Sequence, residues 1–120
     1  MSDERKTGLE IRTTRFALEI IKLCSGLPKS MPAQVLGRQI LRSGTSVGAQ
    51  YREAKRAKSI ADFVSKIEGA LQEIEETRYW LELLTGSAIV TEERTVSLAA
   101  EAGELTAMLA ASAKTAKRRK

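Results

Sequence analysis

Four arginines on one predicted helix are the side chains with the clearest chemical use in this sequence. Arg38, Arg42, Arg52 and Arg56 lie within about 80° of one another at 100° per residue, opposite the apolar side of that helix. A guanidinium group presents a planar set of donors that matches phosphate oxygens, so we predict contact with the backbone of RNA or DNA. The predicted nucleic-acid-binding set is completed by nearby lysines and by the basic end of the chain, Lys55, Lys58, Lys117, Arg118, Arg119 and Lys120.

The distribution of charge leaves a second interpretation of these arginines open. Residues 1–58 contain twelve Lys/Arg and five Asp/Glu, a net charge of +7, whereas residues 59–105 contain three and ten, a net charge of −7. Residues 106–120 carry five Lys/Arg and no acid. Such asymmetry suits an anionic partner, a solvated basic face, or pairing of unlike halves within or between subunits. The alternative function is a homo-oligomeric protein-interaction scaffold whose arginines make inter-subunit salt bridges.

Aromatic side chains are few, with two Phe, two Tyr and one Trp. We expect most of them to be buried, which leaves little surface on which single-stranded bases stack. Any binding to nucleic acid is therefore predicted to follow the backbone and to weaken with salt.

The sequence lacks the residues on which most enzymes and metal sites depend. It contains no histidine, the commonest general base and metal ligand, and its only cysteine is Cys24, which we expect to be a packed thiol. It has neither a P-loop nor a dinucleotide-binding glycine motif. Residues 43–46 are rich in hydroxyls but have no base beside them, and Glu73, Glu75 and Glu76 read as a solvated acidic face. We predict no enzyme activity, no metal and no cofactor.

Apolar residues recur every three or four positions along the chain, which predicts helices and not strands. The predicted helices are helix 1 from Thr7 to Cys24, helix 2 from Pro32 to about Ala57, helix 3 from its N-cap Ser59 to Gly86, and helix 4 from its N-cap Thr91 to about Ala116. Long amphipathic helices with short connections predict an all-α fold, an antiparallel up-down-up-down four-helix bundle. Residues 1–120 form one predicted domain, with 1–6 and 117–120 flexible.

The segment at residues 43–48 could be a loop, because two glycines and three hydroxyl residues are poor helix formers. We favour a continuous helix, since Ile40 and Val47 are seven residues apart and keep the apolar phase across it. Small side chains in this segment would then let a neighbouring backbone approach closely.

Several large apolar residues fall off the predicted intramolecular stripes of helices 1 and 3. Interfaces favour aromatic anchors of this kind, so we predict a second buried surface formed by homo-oligomerisation. The predicted oligomer interface consists of Ile11, Leu18, Ile21, Tyr79, Trp80 and Leu83.

The sequence also bears on where the protein works. Residues 1–6 are polar with no apolar run behind them, and no segment approaches the roughly 18 apolar residues of a membrane span. A single cysteine gives no intramolecular disulfide. We therefore expect a cytoplasmic protein without a membrane partner.

The stretch at residues 36–54, LGRQILRSGTSVGAQYREA, resembles the signature of the bacterial four-helix bundle proteins found in intervening sequences of large-subunit ribosomal RNA genes. The phrase Asp62-Phe63 and the segment at residues 73–82, EIEETRYWLE, match as well. The resemblance covers about residues 10–112. One departure is Gln50, where the family usually has asparagine.

The resemblance implies a four-helix bundle that assembles as a homopentameric ring, and it implies no catalysis. Distant relatives include the accessory protein of diversity-generating retroelements, which binds nucleic acid and a reverse transcriptase. The partners that the resemblance implies are therefore further copies of the chain, RNA or DNA, and a protein partner such as a reverse transcriptase.

Overall fold

The computed structural model describes residues 8–119, and within that range the regular secondary structure is entirely helical. The four helices are α1 (Gly8–Ser25), α2 (Met31–Lys55), α3 (Ile60–Gly86) and α4 (Glu92–Lys117). Helices that follow one another in the chain pack together, and α1 closes the bundle by packing against α4. Because α1 and α3 make no close approach, they occupy opposite corners of the bundle. The predicted antiparallel four-helix bundle is confirmed.

The helix ends agree with the predicted ends to within two residues. Ser59 is the N-cap of α3, where its Oγ accepts a hydrogen bond from the Asp62 backbone N–H at 3.0 Å, as its position predicts. Thr91 begins α4 without a side-chain capping bond. α2 ends at Lys55, two residues before the predicted end at about Ala57, and the chain turns before Ser59. The predicted start at Thr7 and the predicted flexible residues 1–6 lie outside the described residues.

The glycine-rich segment of α2 is helical, as predicted, and its glycines lie against α1. A Cβ on Gly44 would lie 2.8 Å from Ile20 Cγ1, and one on Gly48 would lie 3.0 Å from Thr13 Oγ1. Both distances are shorter than an ordinary van der Waals contact, so only glycine lets the two helices approach this closely. The small residues therefore set the spacing between α1 and α2.

A cluster of salt bridges connects α1 to α4, the two adjacent helices with the least extensive contact in the bundle. The Arg12 guanidinium donates to both carboxylate oxygens of Glu101 at 2.9 and 2.6 Å and to Glu104 at 2.7 Å. These hydrogen bonds raise the pKa of Arg12 above its ordinary value, and the nearby carboxylate charges act in the same direction. Arg12 therefore stays charged and holds the two helices together at this point.

The core is apolar except for a few hydroxyls that have hydrogen-bond partners. Its largest fully buried side chains come from all four helices and are Phe16, Ile20, Ile40, Val47, Ile67, Ile74, Leu84, Leu105 and Leu109. Between α2 and α3, Thr77 Oγ1 lies 2.8 Å from Ser43 Oγ, and both residues are fully buried. Ser43 is thus a buried core hydroxyl with a hydrogen-bond partner.

The connection from α3 to α4 contains a strained residue, Ala88, with φ of 61°. The Ala88 N–H donates to Thr85 O and the Ile89 N–H donates to Leu84 O, which is the hydrogen-bond pattern of a Schellman cap. Glycine is the usual residue at this left-handed position because a Cβ there costs about 1–2 kcal/mol.

We expect Ala88→Gly to raise the free energy of unfolding by about 0.5–1 kcal/mol, since the relieved strain exceeds the greater entropy of glycine in the unfolded chain. Urea unfolding followed by circular dichroism measures the change. Ala100→Gly, at an exposed position inside α4, is a control that should lower stability by about 1 kcal/mol. A loss of stability in Ala88→Gly would contradict the assignment of strain to Ala88.

Candidate nucleic-acid interface

The outward side of α2 and its C-cap carry the four predicted arginines, which we call the arginine row: Arg38, Arg42, Arg52 and Arg56. All four of its members are exposed, and they lie opposite the buried side of the helix that includes Ile40, Val47 and Tyr51. Their shared direction follows from the helical period, because α2 runs without a break through the glycine-rich segment.

Arg42 is held in place by two acids of α3. Its guanidinium lies 3.3 Å from Glu73 Oε1 and 2.5 Å from Glu76 Oε1. Arg42 is half-exposed, so these pairs contribute little to stability but fix the direction of the side chain. These salt bridges also place Glu73 and Glu76, which the sequence predicted to form a solvated acidic face, next to the arginine row.

Arg52 and Lys55 share a carboxylate of α1. Lys55 Nζ lies 2.7 Å from Glu10 Oε1, and Arg52 Nη2 lies 3.9 Å from Glu10 Oε2 and 3.3 Å from Thr14 Oγ1. Three of the predicted binding cations are therefore partly neutralised by acids of the same chain. The sequence left open that the arginine row pairs with the acidic half of the chain, and within residues 8–119 only Arg42 of the row does so, with Glu73 and Glu76. Glu10 belongs to the basic half, and its pairing with α2 was not predicted.

Five other cations of the predicted set are different, because they have no acidic partner within residues 8–119. Arg38, Arg56 and Lys58 on the α2 side are exposed and form no ion pair there. Arg118 and Arg119 beyond the end of α4 are also exposed and unpaired in that range. These five side chains present charge that is free to bind an anion.

The basic end of the chain meets the basic end of α2. Lys117 is the last residue of α4, and its Nζ lies 3.2 Å from Glu68 Oε2 of α3. Lys120, the last member of the predicted set, lies outside the described residues. In an up-down-up-down bundle the C-terminal ends of α2 and α4 lie at the same end, so the two predicted basic segments form one surface.

A groove of about 690 Å³ lies between these two basic segments. Lys55 and Lys58 line one side and Arg119 lines the other. Ile60, Phe63 and Met108 are among its apolar lining residues, and several alanines and hydroxyl residues complete the lining. The groove was not predicted from the sequence, although the predicted topology places the two basic segments at the same end of the bundle.

The side chains of the predicted oligomer interface fall into two separate groups. On the outer side of α1, Leu18 is 58% and Ile21 is 44% exposed, while Ile11 is half-buried. On α3, Tyr79 is 52% exposed and Trp80 is half-buried, with their ring centroids 5.2 Å apart. The sixth predicted residue, Leu83 of α3, is also half-buried. Since α1 and α3 occupy opposite corners, the two groups lie on opposite sides of the bundle.

Other exposed apolar side chains were not identified from the sequence. The largest of them belong to the outer surfaces of α2, α3 and α4, and they are Met31, Val35, Leu41, Ile60 and Val96. Only the packed bundle shows that these side chains remain exposed, because the sequence alone does not tell which apolar residues the helices bury.

Within residues 8–119, no three His, Cys, Asp or Glu side chains come together in a way that could hold a metal ion. Burial raises the pKa of the Cys24 thiol, whose Sγ lies 3.5 Å from Gly37 O. A raised pKa lowers the thiolate fraction and therefore the nucleophilicity of this cysteine. None of the helices in this range has the length and hydropathy needed to cross a membrane.

The fold and this surface define a small antiparallel four-helix bundle protein with a basic second helix. The model of the 23S rRNA-intervening sequence protein family matches residues 11–111, and the chain belongs to that family. The resemblance seen in the sequence is thus confirmed over almost the same range.

A solved structure agrees with this assignment. It is the crystal structure of a protein with unknown function from the S23 ribosomal protein family of Bacteroides thetaiotaomicron. The two chains are 40% identical and superpose with a TM-score of 0.84, over 88% of this chain and 98% of the other. No curated protein matches the chain.

Proposed function

We propose that this chain is a non-enzymatic protein that assembles into a ring and binds the backbone of RNA or DNA through the cations of α2 and the basic end of α4. The observation that carries the proposal is the set of exposed cations without an acidic partner in residues 8–119, Arg38, Arg56, Lys58, Arg118 and Arg119. The family description, which names an intervening sequence of 23S rRNA, supports a nucleic-acid context.

The salt bridges within the chain determine which cations matter most. Arg42, Arg52 and Lys55 are offset by Glu73, Glu76 and Glu10, so a phosphate gains less from them. The unpaired cations release condensed counterions from nucleic acid without first breaking a bond to a carboxylate. Affinity should therefore fall steeply as salt is raised from about 50 to 200 mM.

The two apolar groups on opposite sides of the bundle support assembly. A group on α1 of one copy can meet the group on α3 of the next, which is a heterologous contact that produces a ring when the rotation closes. Five copies are the number that the resemblance implies. We expect such a ring to work in the cytoplasm.

A charge-reversal experiment tests the proposal. Arg38→Glu combined with Arg56→Glu should weaken binding to a fluorescein-labelled RNA at least about tenfold at low salt, because two unpaired cations become anions. Fluorescence anisotropy gives the affinity. The melting temperature should not change, since neither side chain has an ion pair in the described part of the chain.

Lys22→Glu combined with Lys29→Glu is the matched control for that variant. Both lysines are exposed and without an ion pair in residues 8–119, and the change in net charge is the same. Near-normal binding by this control would locate the effect on α2. If both double variants lost the same amount of affinity for RNA, binding would depend on net charge alone. That result would contradict a defined interface on α2.

The exposed apolar side chains favour a second candidate function, a homo-oligomeric scaffold on which a protein partner such as a reverse transcriptase docks. Its arginines would make salt bridges between subunits. In that case RNA does not bind at any salt concentration, and reversal of Arg38 and Arg56 breaks the oligomer instead.

A further inference from the structure

The groove between the two basic segments differs from the rest of the cationic surface because its floor is apolar. Building on the proposed function, we infer that this groove holds an unpaired nucleotide, so that the protein binds single-stranded nucleic acid in preference to a duplex. The structure favours this ligand through the charge of the groove walls, the nature of the floor and the size of the space.

The walls of the groove carry only positive formal charge. Lys55, Lys58 and Arg119 line it, and no acidic side chain does. Two nearby acids pair with lysines outside the lining, Glu53 with Lys66 and Glu68 with Lys117. Glu10 pairs with Lys55 and partly offsets its charge, so Lys58 and Arg119 are the cations of the groove without an acidic partner in residues 8–119. Cations on both sides of a groove suit a phosphodiester chain that runs along it.

The floor of the groove is formed by apolar side chains, which offer a phosphate neither a hydrogen-bond donor nor a positive charge. Ile60 is 37% exposed, and Phe63 and Met108 pack on the core with part of their surface facing the groove. A nucleobase has an apolar face that covers such a floor, and stacking of this kind tolerates any base. In a duplex both faces of each base are already stacked, so a duplex offers only its phosphates to this end of the bundle.

The space is large enough for one such unit. A volume of about 690 Å³ lies within the range of roughly 300–1,000 Å³ that is typical of small-molecule sites. Hydroxyls of Ser112 and Thr115 also line the groove and can donate to phosphate or sugar oxygens. Phe63, which is half-buried, is the one aromatic side chain among the residues that line the groove.

Three ligands of equal length and phosphate number per strand test the inference by fluorescence anisotropy. They are a short oligothymidylate, the corresponding duplex, and an abasic strand of the same length. We expect the wild-type chain to bind oligothymidylate about tenfold more tightly than either of the other two, because only it offers an unpaired base.

A variant that fills the groove provides the second part of the test. Ala111 is exposed and lines the groove, so Ala111→Leu, which adds bulk without a ring on which a base could stack, should remove the preference for oligothymidylate over the duplex. Ala100→Leu, at an exposed position on α4 away from the groove, should keep the preference. Circular dichroism confirms that both variants are folded.

The possible failures are distinguishable. Equal affinity for all three ligands would overturn the inference and leave backbone binding, the proposed function, intact. Binding of none of them at low salt would overturn both. Displacement of oligothymidylate by polyglutamate at equal charge would show that the groove accepts any polyanion, which would also overturn the inference.

Discussion

Replacing Gly44 with valine should lower the free energy of unfolding by about 3 kcal/mol. The first added carbon alone would lie 2.8 Å from Cγ1 and 3.0 Å from Cγ2 of Ile20, which is fully buried and β-branched. Ile20 has no room to move, so α1 and α2 must separate and lose contact along their length. Urea unfolding of wild type and variant at equal protein concentration measures the loss.

The matched control is another helical glycine, Gly103 of α4, where an added Cβ meets nothing within 4 Å. Gly103→Val should leave stability unchanged or raise it by a few tenths of a kcal/mol, about the difference in helix propensity between valine and glycine. If the two variants unfold at the same urea concentration, the close approach of α1 and α2 at Gly44 does not exist as described.

Charged substitutions in the two apolar groups should break the oligomer completely. In Leu18→Glu and in Tyr79→Glu, a carboxylate replaces a side chain that is more than half exposed in the single chain. Burying that carboxylate in an interface without a partner costs several kcal/mol, whereas the isolated bundle keeps it in water. Each variant should therefore sediment as a folded monomer with the helical signal of the wild type.

Mixing the two variants distinguishes a heterologous contact from a symmetric one. Leu18→Glu retains the group on α3 and Tyr79→Glu retains the group on α1, so an equimolar mixture should form a one-to-one dimer that cannot extend. Sedimentation velocity measures its mass. Dimers of either variant alone would mean that like groups pair, which would contradict the head-to-tail ring.

Trp80 offers an independent signal for the same contact. It is the only tryptophan of the chain and lies in the group on α3, half-buried beside Tyr79. Its fluorescence should therefore change when the oligomer dissociates on dilution. The indole Nε1 is buried without a hydrogen-bond partner in the described part of the chain.

Much of the fold could be predicted from local signals in the sequence. The spacing of apolar residues, with both prolines confined to the short stretch at residues 28–32, defined four helices. Ser59 and Asp62 marked the start of α3 because the cap is a contact between neighbours in sequence. The left-handed conformation of Ala88 could not be predicted, since the cap that imposes it depends on where α3 and α4 pack.

Less of the candidate site could be predicted, because most of it depends on how the helices are placed against one another. The common direction of the arginine row follows from the helical period alone. The contact of Lys55 with Glu10 joins residues 45 positions apart, and that of Arg42 with Glu76 joins residues 34 apart. Such pairs, and the groove between three helix ends, are set by the register of α2 against its neighbours.

The central claim is that an oligomer of this chain binds nucleic acid through charge. Size-exclusion chromatography with light scattering, run with and without a short single-stranded RNA at low and high salt, tests it most directly. We expect a mass several times the 13.2 kDa of one chain, which increases on adding RNA at low salt and returns to its original value at high salt. An oligomer whose mass is unaffected by RNA at low salt, or a chain that remains monomeric throughout, would contradict it.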